Sequence, residues 1–409
     1  MKYNPATLDN GLRAIHCPSA SPVVYCGYEV CAGTRDEKEG EEGMAHFCEH
    51  TTFKGTRHRS AMQILNRLES VGGDLNAFTN KEDTVYYSAI LKDHFPRAVD
   101  LLTDIVFGST YPQAEIDKEV EVIVDEIESY NDSPAELVYD LFENAVFGGH
   151  PLGHNILGTA EKLHRYTTAD ALRFTRRYYR PENSVFFAYG DVDFARLVRL
   201  LERANTVAAD EACCACKQSA ATLPPYVAQH IEHHMDTHLA HVMVGTRAYD
   251  VHDERRIALY LLNNILGGPG MTARLNVSLR ERNALVYTVE SMAQSYSDTG
   301  LWAVYFGCDP KNVNRCLRLI RRELDKVMQR PLSDAQLRAA KRQIRGQIGI
   351  ACDSRESFAL DFAKSYLHYG WKKDVTALCE RIDALTAADL QRVAQDLFAE
   401  ECLTSLVIK

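Results

Sequence analysis

The sequence predicts an α+β protein of two duplicated domains, each a mostly antiparallel sheet with helices packed on one face. Two observations lead to this fold class. The same order of elements (strand, charged loop, helix, glycine break, strands, helices) occurs twice along the 409 residues. An aperiodic stretch that contains alanine, cysteine and proline separates the two copies. We therefore predict a first domain over residues 1–205, a linker over 206–225 and a second domain over 226–409.

Alternation, capping residues and chain breaks define the elements of the first copy. The predicted strands, which are rich in alternating apolar residues, are Thr7–Ile15, Val23–Ala32, Leu75–Thr79, Asp83–Leu91 and Ser184–Asp191. A turn is predicted at Asn10-Gly11, near the first of these strands. The predicted helices are one that begins near Met44, one around Leu65, then Arg97–Phe107, a helix around Glu119–Glu126, Ala135–Phe147, Thr167–Tyr179 and Phe194–Ala204. A charged, glycine-bearing loop leads into the helix at Met44.

The second copy follows the same plan. Its predicted strands are His238–Thr246, Val286–Ala293, Gly300–Gly307 and Thr404–Ile408. Its predicted helices are Arg255–Leu266, Thr272–Asn283, Lys311–Gln329, Ser333–Ile350, Ser354–Tyr369 and Thr386–Phe398. A glycine break after the first of these helices repeats the break seen in the first copy.

Composition and charge fit a globular protein with reduced thiols. The chain is 46% hydrophobic and 25% charged, and its formal net charge is −10. This mild acidic excess argues against nucleic acid or an anionic membrane as a partner, because neither would be attracted. The first residues lack the apolar core of a signal peptide, and no later stretch approaches a membrane span in length. Twelve scattered cysteines fit reduced thiols better than disulfides, and we expect a cytoplasmic protein.

The stretch His46-Phe47-Cys48-Glu49-His50 falls on the helix that begins near Met44. Residues four apart on a helix stand about 40° apart around its axis, so His46 and His50 offer two neutral imidazoles to one metal ion. Glu49 follows His46 by three positions and flanks the same face. The order H-x-x-E-H is the inverted form of the zinc-peptidase signature. By themselves, these five residues fit a polar helix face equally well.

The acidic helix downstream offers a third ligand. Glu119 and Glu126 are seven residues apart, which is two helical turns, so both point the same way. Val120, Ile123 and Val124 belong to an apolar stripe that would bury this helix. A carboxylate on such a half-buried face is costly unless it is paired or bound to a metal. Taken alone, the two glutamates also fit an acidic, solvated helix edge.

These motifs resemble those of the pitrilysin family of zinc metallopeptidases, which includes insulin-degrading enzyme and mitochondrial processing peptidase. In that family H-x-x-E-H is followed, after some seventy-odd residues, by a helix with two glutamates seven apart. Here 75 residues separate His50 from Glu126 (126 − 50 − 1). The resemblance implies that His46, His50 and Glu126 bind one Zn²⁺ per subunit. It further implies that Glu49 is the general base and that Glu119 supports the zinc ligands without binding zinc itself.

The resemblance also points to substrate-binding residues. In the family, the segment matching Gly73–Thr79 is an edge strand beside the metal, and substrate peptide adds to it as a further strand. Asn76 and Ala77 match the residues that contact substrate there. In the second copy, L-R-E-R-N-A-L-V-Y matches a motif whose arginine and tyrosine reach the zinc site, which points to Arg280 and Tyr287. Read without the resemblance, these four residues have ordinary surface or strand roles.

The resemblance implies a zinc-dependent endopeptidase of the short bacterial type that cleaves peptides or short unfolded segments. The zinc motif lies in one domain and the Arg280–Tyr287 motif in the other. This arrangement predicts a homodimer that encloses a chamber, in which each subunit completes the zinc site of its partner. Two alternatives stay open: a non-catalytic subunit of a larger assembly, and a processing-peptidase-like subunit that needs a different partner. All ligand types and both motifs are present in this one chain, which favours a self-sufficient peptidase.

Two further clusters have no assigned role. Cys213-Cys214-Ala215-Cys216 lacks a second half with C-x-x-C spacing, so it fits a cysteine-containing linker better than a metal site. Five histidines occur between His230 and His241, where alternation predicts a strand pair. An exposed, histidine-rich edge is favoured there over a second metal site.

Overall fold

The computed structural model describes residues 2–205 and 222–409. These residues form two compact units, and each unit is discontinuous in sequence. The first unit holds residues 2–128, 154–205 and 351–373, and the second holds 129–153, 222–350 and 374–409. Most of the predicted linker, including Cys213, Cys214 and Cys216, lies outside the described residues.

The elements are numbered in chain order. The strands are β1 (Asn4–Thr7), β2 (Arg13–Pro18), β3 (Val23–Val30), β4 (Asp74–Thr79), β5 (Thr84–Leu91), β6 (Ser184–Gly190), β7 (His230–His233), β8 (Ala240–Ala248), β9 (Val286–Ser295), β10 (Gly300–Cys308) and β11 (Thr404–Ile408). The helices are α1 (Met44–Thr52), α2 (Ala61–Glu69), α3 (Phe95–Gly108), α4 (Gln113–Asn131), α5 (Pro134–Phe147), α6 (Ala160–Leu163), α7 (Thr168–Tyr178), α8 (Phe194–Ala204), α9 (Arg255–Gly267), α10 (Val313–Gln329), α11 (Asp334–Ala351), α12 (Arg355–Tyr369), α13 (Val375–Ala384) and α14 (Ala387–Leu397).

The first unit is built on a six-stranded sheet in the order β1-β2-β6-β3-β5-β4. Its pairs are antiparallel except for β2 with β6, which is parallel. Residues Thr84–Leu91 illustrate why these segments form strands, because β-branched and aromatic side chains suit a pleated, buried surface. α3 packs on β3 and β5, and α1 lies beside β4, the last strand of the sheet.

The second unit repeats this plan with a five-stranded sheet in the order β7-β11-β8-β10-β9. Here β7 and β11 form the parallel pair, and the other pairs are antiparallel. The succession is the same as β2-β6-β3-β5-β4 in the first sheet. When β1 is left aside, the first strand of each copy is followed across the sheet by the last, second, fourth and third strands of that copy. The predicted fold class, two duplicated α+β domains with mostly antiparallel sheets, is confirmed.

One helix in each unit comes from the opposite half of the sequence. α12 packs on β3 and β6 of the first sheet, and α5 packs on β8 and β11 of the second. Val138, Phe142 and Val146 of α5 belong to an apolar cluster that also contains Met243 and Leu406. The two units are therefore interleaved along the chain, whereas the predicted limits 1–205 and 226–409 divide it linearly. Those domain limits stay a prediction.

These two helices add a third layer, because they cover the face of each sheet that the other helices leave open. Successive side chains of a strand point to opposite faces. In β6, the Phe186 ring contacts Tyr28, whereas the neighbouring Phe187 ring contacts Phe362 of α12. In β10, Leu301 joins the α5 cluster, whereas Trp302 stacks near Phe398, which follows α14. Each sheet thus lies between two layers of helices.

Several local features differ from the predictions. The predicted turn at Asn10-Gly11 is present, and Gly11 has a φ of 83°, a left-handed value that suits glycine, but the turn joins two strands, β1 and β2, where one strand over Thr7–Ile15 was predicted. The predicted helix Thr272–Asn283 contains a π-helical segment, Asn276–Glu281. α13 was not predicted from the sequence. Among the described residues, no helix is long and apolar enough to cross a membrane.

Candidate metal centre

A short and almost entirely buried helix carries the H-x-x-E-H residues. α1 begins after Gly43, whose φ of 86° lies in the left-handed region. The carboxyl oxygens of Glu37 accept hydrogen bonds from the backbone N–H groups of Gly43, at 3.0 Å, and Ala45, at 2.9 Å. The first N–H groups of a helix have no partner within the helix, so this side chain fixes where α1 begins.

The apolar stripe of α4 fixes the direction of its two glutamates. Ile116, Val120, Ile123 and Ile127 are buried at helical spacing, so one face of α4 packs against the unit. Glu119 lies on this buried face, whereas 44% of the Glu126 side chain remains exposed. The two glutamates therefore point toward α1 from one helix but differ in exposure.

The structure brings together the three predicted metal ligands. Ligand atoms of His46, His50 and Glu126 all lie within 4.8 Å of one another. Oε2 of Glu126 is 3.5 Å from Nε2 of His50 and 3.9 Å from Nε2 of His46. The two imidazole rings are neighbours, with centroids 4.5 Å apart.

This donor set fits a zinc ion. Two imidazole nitrogens and one glutamate oxygen form a known ligand set of catalytic zinc, and tetrahedral bonds of about 2.1 Å place the donors roughly 3.4 Å apart. The distances across the cluster need only small side-chain adjustments to reach that value. Burial, and next the neighbouring His50, lower the pKa of His46 to about 3, so its ring is neutral, as metal ligation requires. His46, His50 and Glu126 are thus the residues that would hold the ion.

Glu119 orients one of the two imidazoles. Its Oε1 lies 3.1 Å from Nδ1 of His50, which leaves Nε2 of the same ring facing Glu126. Its Oε2 lies 2.6 Å from Nζ of Lys54. Burial would raise the pKa of Glu119, but its hydrogen bonds to His50 and Lys54 outweigh burial and lower it. Sequence reasoning missed Lys54; its spacing of four residues from His50 is the only signal that could have indicated it.

Glu49 lies beside the ligands and has one hydrogen-bonding partner on the edge strand. Oγ1 of Thr79 donates to Oε2 of Glu49 at 3.2 Å, and that oxygen is 4.0 Å from Nε2 of His46. Burial raises the pKa of Glu49 to about 7. A carboxyl group that can hold or release a proton near neutrality suits a general base. Sequence reasoning missed Thr79, although it ends the strand that carries the predicted substrate residues.

The predicted substrate-binding residues Asn76 and Ala77 lie on β4. Asn76 is paired with Tyr87 and Ala77 with Tyr86 across the β4–β5 ladder. Because β4 is the last strand of its sheet, its other edge is placed for strand addition. Asn76 is exposed and Ala77 is partly buried.

Arg280 and Tyr287 belong to the second unit, and the structure places them side by side. Arg280 lies in the π-helical segment, and its Cζ is 5.5 Å from the ring centroid of Tyr287. Tyr287 begins β9 after Val286, and it is 83% exposed. A cation over an aromatic ring is attracted by the ring quadrupole, so each side chain favours the orientation of the other.

Within the part of the chain that the structure describes, the histidines from His230 to His241 take part in no such cluster. Among the described residues, potential metal-binding groups of three or more side chains occur at His46–His50–Glu126 and at Glu29–Asp83–His368. His230 to His233 form β7, the strand at the end of the second sheet.

Together, the fold and the cluster define a class: two-unit α+β proteins with an H-x-x-E-H helix whose donor set suits zinc. A family model described as "Insulinase (Peptidase family M16)" matches residues 15–160, and one described as "Peptidase M16 inactive domain" matches residues 165–344. An uncharacterized zinc protease of Streptomyces coelicolor is 34% identical over 98% of this chain and 88% of its own length. The uncharacterized zinc protease YmxG of Bacillus subtilis is 31% identical over 98% of this chain and 97% of its own length.

Two solved structures share the fold. A protease from Helicobacter pylori has a TM-score of 0.90 at 23% identity, covering 100% of this chain and 99% of that one. A structure from Pseudomonas fluorescens, described as a peptidase M16 inactive domain, has a TM-score of 0.91 at 17% identity, covering 100% and 98%. The chain belongs to peptidase family M16, which confirms the pitrilysin-type resemblance drawn from its motifs.

Proposed function

We propose that this protein is a zinc-dependent endopeptidase that cleaves peptides or short unfolded segments, with one zinc ion per subunit. The observation that carries the proposal is the convergence of two imidazole nitrogens and a glutamate oxygen within 4.8 Å of one another. Glu49 lies beside these donors and has a pKa raised to about 7 by burial. The relatives from Streptomyces coelicolor and Bacillus subtilis are named zinc proteases, which agrees with the proposal.

The residues around the site have distinct tasks in peptide hydrolysis. Bound zinc supplies a Lewis acid that polarises the scissile carbonyl and makes water more acidic. Glu49 takes a proton from water and passes it to the leaving amine, and Thr79 holds its carboxyl group in place at 3.2 Å. Glu119 keeps the His50 ring in the tautomer that leaves Nε2 without a proton, and Lys54 neutralises Glu119.

Substrate binding would occur by strand addition to β4. Main-chain hydrogen bonds give such binding its affinity and make it tolerant of sequence. Asn76 and Ala77 lie on this edge strand, and Thr79 of the same strand bonds Glu49. A peptide that extends along β4 would therefore run toward the proposed base. This arrangement favours extended, unfolded substrates over folded proteins.

We further propose a homodimer in which Arg280 and Tyr287 of one subunit complete the zinc site of the other. Tyr287 is 83% exposed, and its hydroxyl could donate to a developing oxyanion. Mass measurement in solution tests this assembly. An active monomer would rule out completion of the site by a second subunit.

The experiment that tests the activity compares the purified chain with its Glu49→Gln variant. We expect zinc content to be unchanged and cleavage of a quenched peptide to fall by at least about a hundredfold, because general-base catalysis contributes 10²–10⁴ in rate. Equal cleavage by parent and variant would contradict the role given to Glu49. Failure of the zinc-loaded parent itself to cleave any peptide would favour the alternative, a non-catalytic or partner-dependent processing-peptidase-like subunit.

A further inference from the structure

A second cluster of ionisable side chains lies in the first unit and shares no residue with the proposed zinc site. It joins the end of β3, the start of β5 and α12. The sulfur of Cys31 is 3.8 Å from Nδ1 of His368, and Nε2 of the same ring is 3.0 Å from Oδ2 of Asp83. A thiol, an imidazole and a carboxylate are thus connected in series, the order of a nucleophile, its base and the group that orients the base.

Asp83 is the fixed negative end of this series. Its side chain has no exposed surface, and Nζ of Lys364 lies 2.9 Å from Oδ2. Nδ2 of Asn80 donates to Oδ1 at 2.6 Å. Burial would raise the pKa of Asp83, but the hydrogen bond from His368 and the charge of Lys364 outweigh burial and hold it well below its usual range. Oδ2 of Asp83 thus contacts two nitrogen atoms, Nζ of Lys364 and Nε2 of His368.

His368 is the positive centre of the series. Burial by itself would lower the pKa of His368, but hydrogen bonds to Asp83 and Cys31 raise it to about 10. The ring is therefore an imidazolium at neutral pH, with Nε2–H donated to Asp83 and Nδ1–H directed at the Cys31 sulfur. A positive charge in contact with sulfur favours the thiolate.

The other charged groups around the cluster do not cancel this effect. They are Glu29, Lys364, Asp36, Arg35 and Glu82. Burial raises the pKa of Glu29 well above its usual range and that of Asp36 to about 6, so burial disfavours the negative charge on both carboxyl groups. NH1 of Arg35 lies 2.7 Å from Oε1 of Glu82, and these two charges compensate each other.

We propose that Cys31 is a reactive thiolate that hydroperoxides oxidise. His368 stabilises this thiolate, and Asp83 orients His368. The sulfur attacks one peroxide oxygen, so that an S–O bond forms while the O–O bond breaks. The departing hydroxide or alkoxide takes the Nδ1 proton of His368. Sulfur loses two electrons and becomes a sulfenic acid, and the peroxide is reduced to water or an alcohol. Cys31 is partly exposed, as a thiol that meets small reagents in solution must be.

Three other cysteines provide controls within the same chain. Cys352, Cys379 and Cys402 are also partly exposed. In the described part of the chain, none of the three has a hydrogen bond to a histidine such as Cys31 has to His368. Exposure is therefore comparable, and the imidazolium distinguishes Cys31.

The test labels the full-length protein with limiting iodoacetamide at pH 6 and pH 8 and quantifies each cysteine by peptide mass spectrometry. At pH 6 we expect Cys31 to react about tenfold faster than the three controls, because the positively charged ring of His368 is in contact with its sulfur. At pH 8 we expect a smaller difference in rate between Cys31 and the three controls. His368→Gln removes the advantage at pH 6, and brief treatment with hydrogen peroxide places a dimedone-reactive sulfenic acid on Cys31 first.

Two results at pH 6 would overturn the proposal: equal rates for the four cysteines in the parent, or an unchanged Cys31 rate in His368→Gln. If that variant does not fold, the labelling rates measured in the parent protein decide whether the proposal holds. A Cys31 rate that rises tenfold per pH unit from pH 6 to 8, as an ordinary thiol does, also overturns it. No readout involves peptide cleavage, so the outcome is independent of the proposed peptidase.

Discussion

The two copies of the fold use one helix position in different ways. α1 and α9 occupy equivalent places, each beside the edge strand of its sheet, β4 or β9. In the first copy, Glu49 and Thr79 link the helix to the edge strand. In the second, Asn263 donates to the carbonyl of Ser291 and accepts from its hydroxyl, both at 3.1 Å. One topology thus carries a carboxylate beside the candidate metal ligands in one copy and a structural pair of hydrogen bonds in the other.

Close packing accounts for the structural role of the second position. A Cβ on Gly267 would lie 2.6 Å from the backbone nitrogen of Ser291, so α9 and β9 touch through their main chains. Oδ1 of Asn263 accepts from Nε1 of Trp302 at 3.0 Å, so both polar atoms of this side chain have partners. In α1, by contrast, Nε2 of His50 faces a carboxylate of α4. The difference teaches that chemistry depends on which polar atoms the packing leaves available, not on topology.

The largest expected effect is the loss of zinc binding when His50, a candidate ligand in the first copy, is replaced. His50→Ala deletes one of the three converging donors, so we expect zinc content to fall from about one ion per chain to near zero, with loss of peptide cleavage. Metal analysis after gel filtration measures the zinc content, and a quenched peptide substrate measures cleavage. His58→Ala, which removes an exposed histidine of the same unit, should leave both unchanged. Stoichiometric zinc in His50→Ala would mean that the ion is bound elsewhere.

Local patterns in the sequence were sufficient to predict most elements and to place two candidate metal ligands, His46 and His50, on one helix. The strand Thr84–Leu91 is rich in β-branched and aromatic residues, and the apolar stripe of α4 has a period of 3.6, which the sequence shows directly. The H-x-x-E-H spacing on α1 likewise depends on one helix. The resemblance then linked this motif to Glu126. The predictions that rest on the resemblance for dimer assembly and substrate contacts stay predictions.

Features that depend on distant parts of the chain were not predictable. The apolar face of α5 does not reveal which sheet it covers, because any apolar surface would satisfy it. Lys54 and Thr79 are polar residues whose roles exist only once α4 and β4 reach α1. The π-helical turn at Asn276–Glu281 adds a residue to a helical turn without changing the composition that indicates a helix.

A smaller effect is expected when the hydrogen bond that orients His50 in the first copy is weakened. Glu119→Gln keeps the shape of the side chain but removes the charge that fixes the His50 tautomer, so zinc affinity should fall roughly 10- to 100-fold. A competition titration with a chromogenic chelator measures this change. Glu121→Gln, on the exposed side of the same helix, is the matched control and should not alter affinity. An equal loss in both variants would indicate a general electrostatic effect rather than orientation of His50.

The exchanged helices offer a second comparison between the copies. α5 meets its sheet through apolar side chains such as Phe142. α12 meets the first sheet partly through charge, since Lys364 and His368 both contact the buried Asp83. Attachment of α12 should therefore depend on pH, and attachment of α5 should not.

The smallest expected effect is a pH-dependent loss of stability that distinguishes the attachment of α12 from that of α5. His368→Gln should lower the free energy of unfolding by about 1.5 kcal/mol at pH 6, because it removes a hydrogen bond to a charged group. The pKa of His368 in the folded protein is about 10, above the ordinary 6.5. Its contribution is therefore fully present below pH 6.5 and is lost as the pH rises through about 10. Urea unfolding under reducing conditions should show the deficit shrinking over this range, whereas the deficit of Phe142→Leu in α5 stays constant. A His368→Gln deficit that does not change with pH would mean that α12 is held by packing, as α5 is.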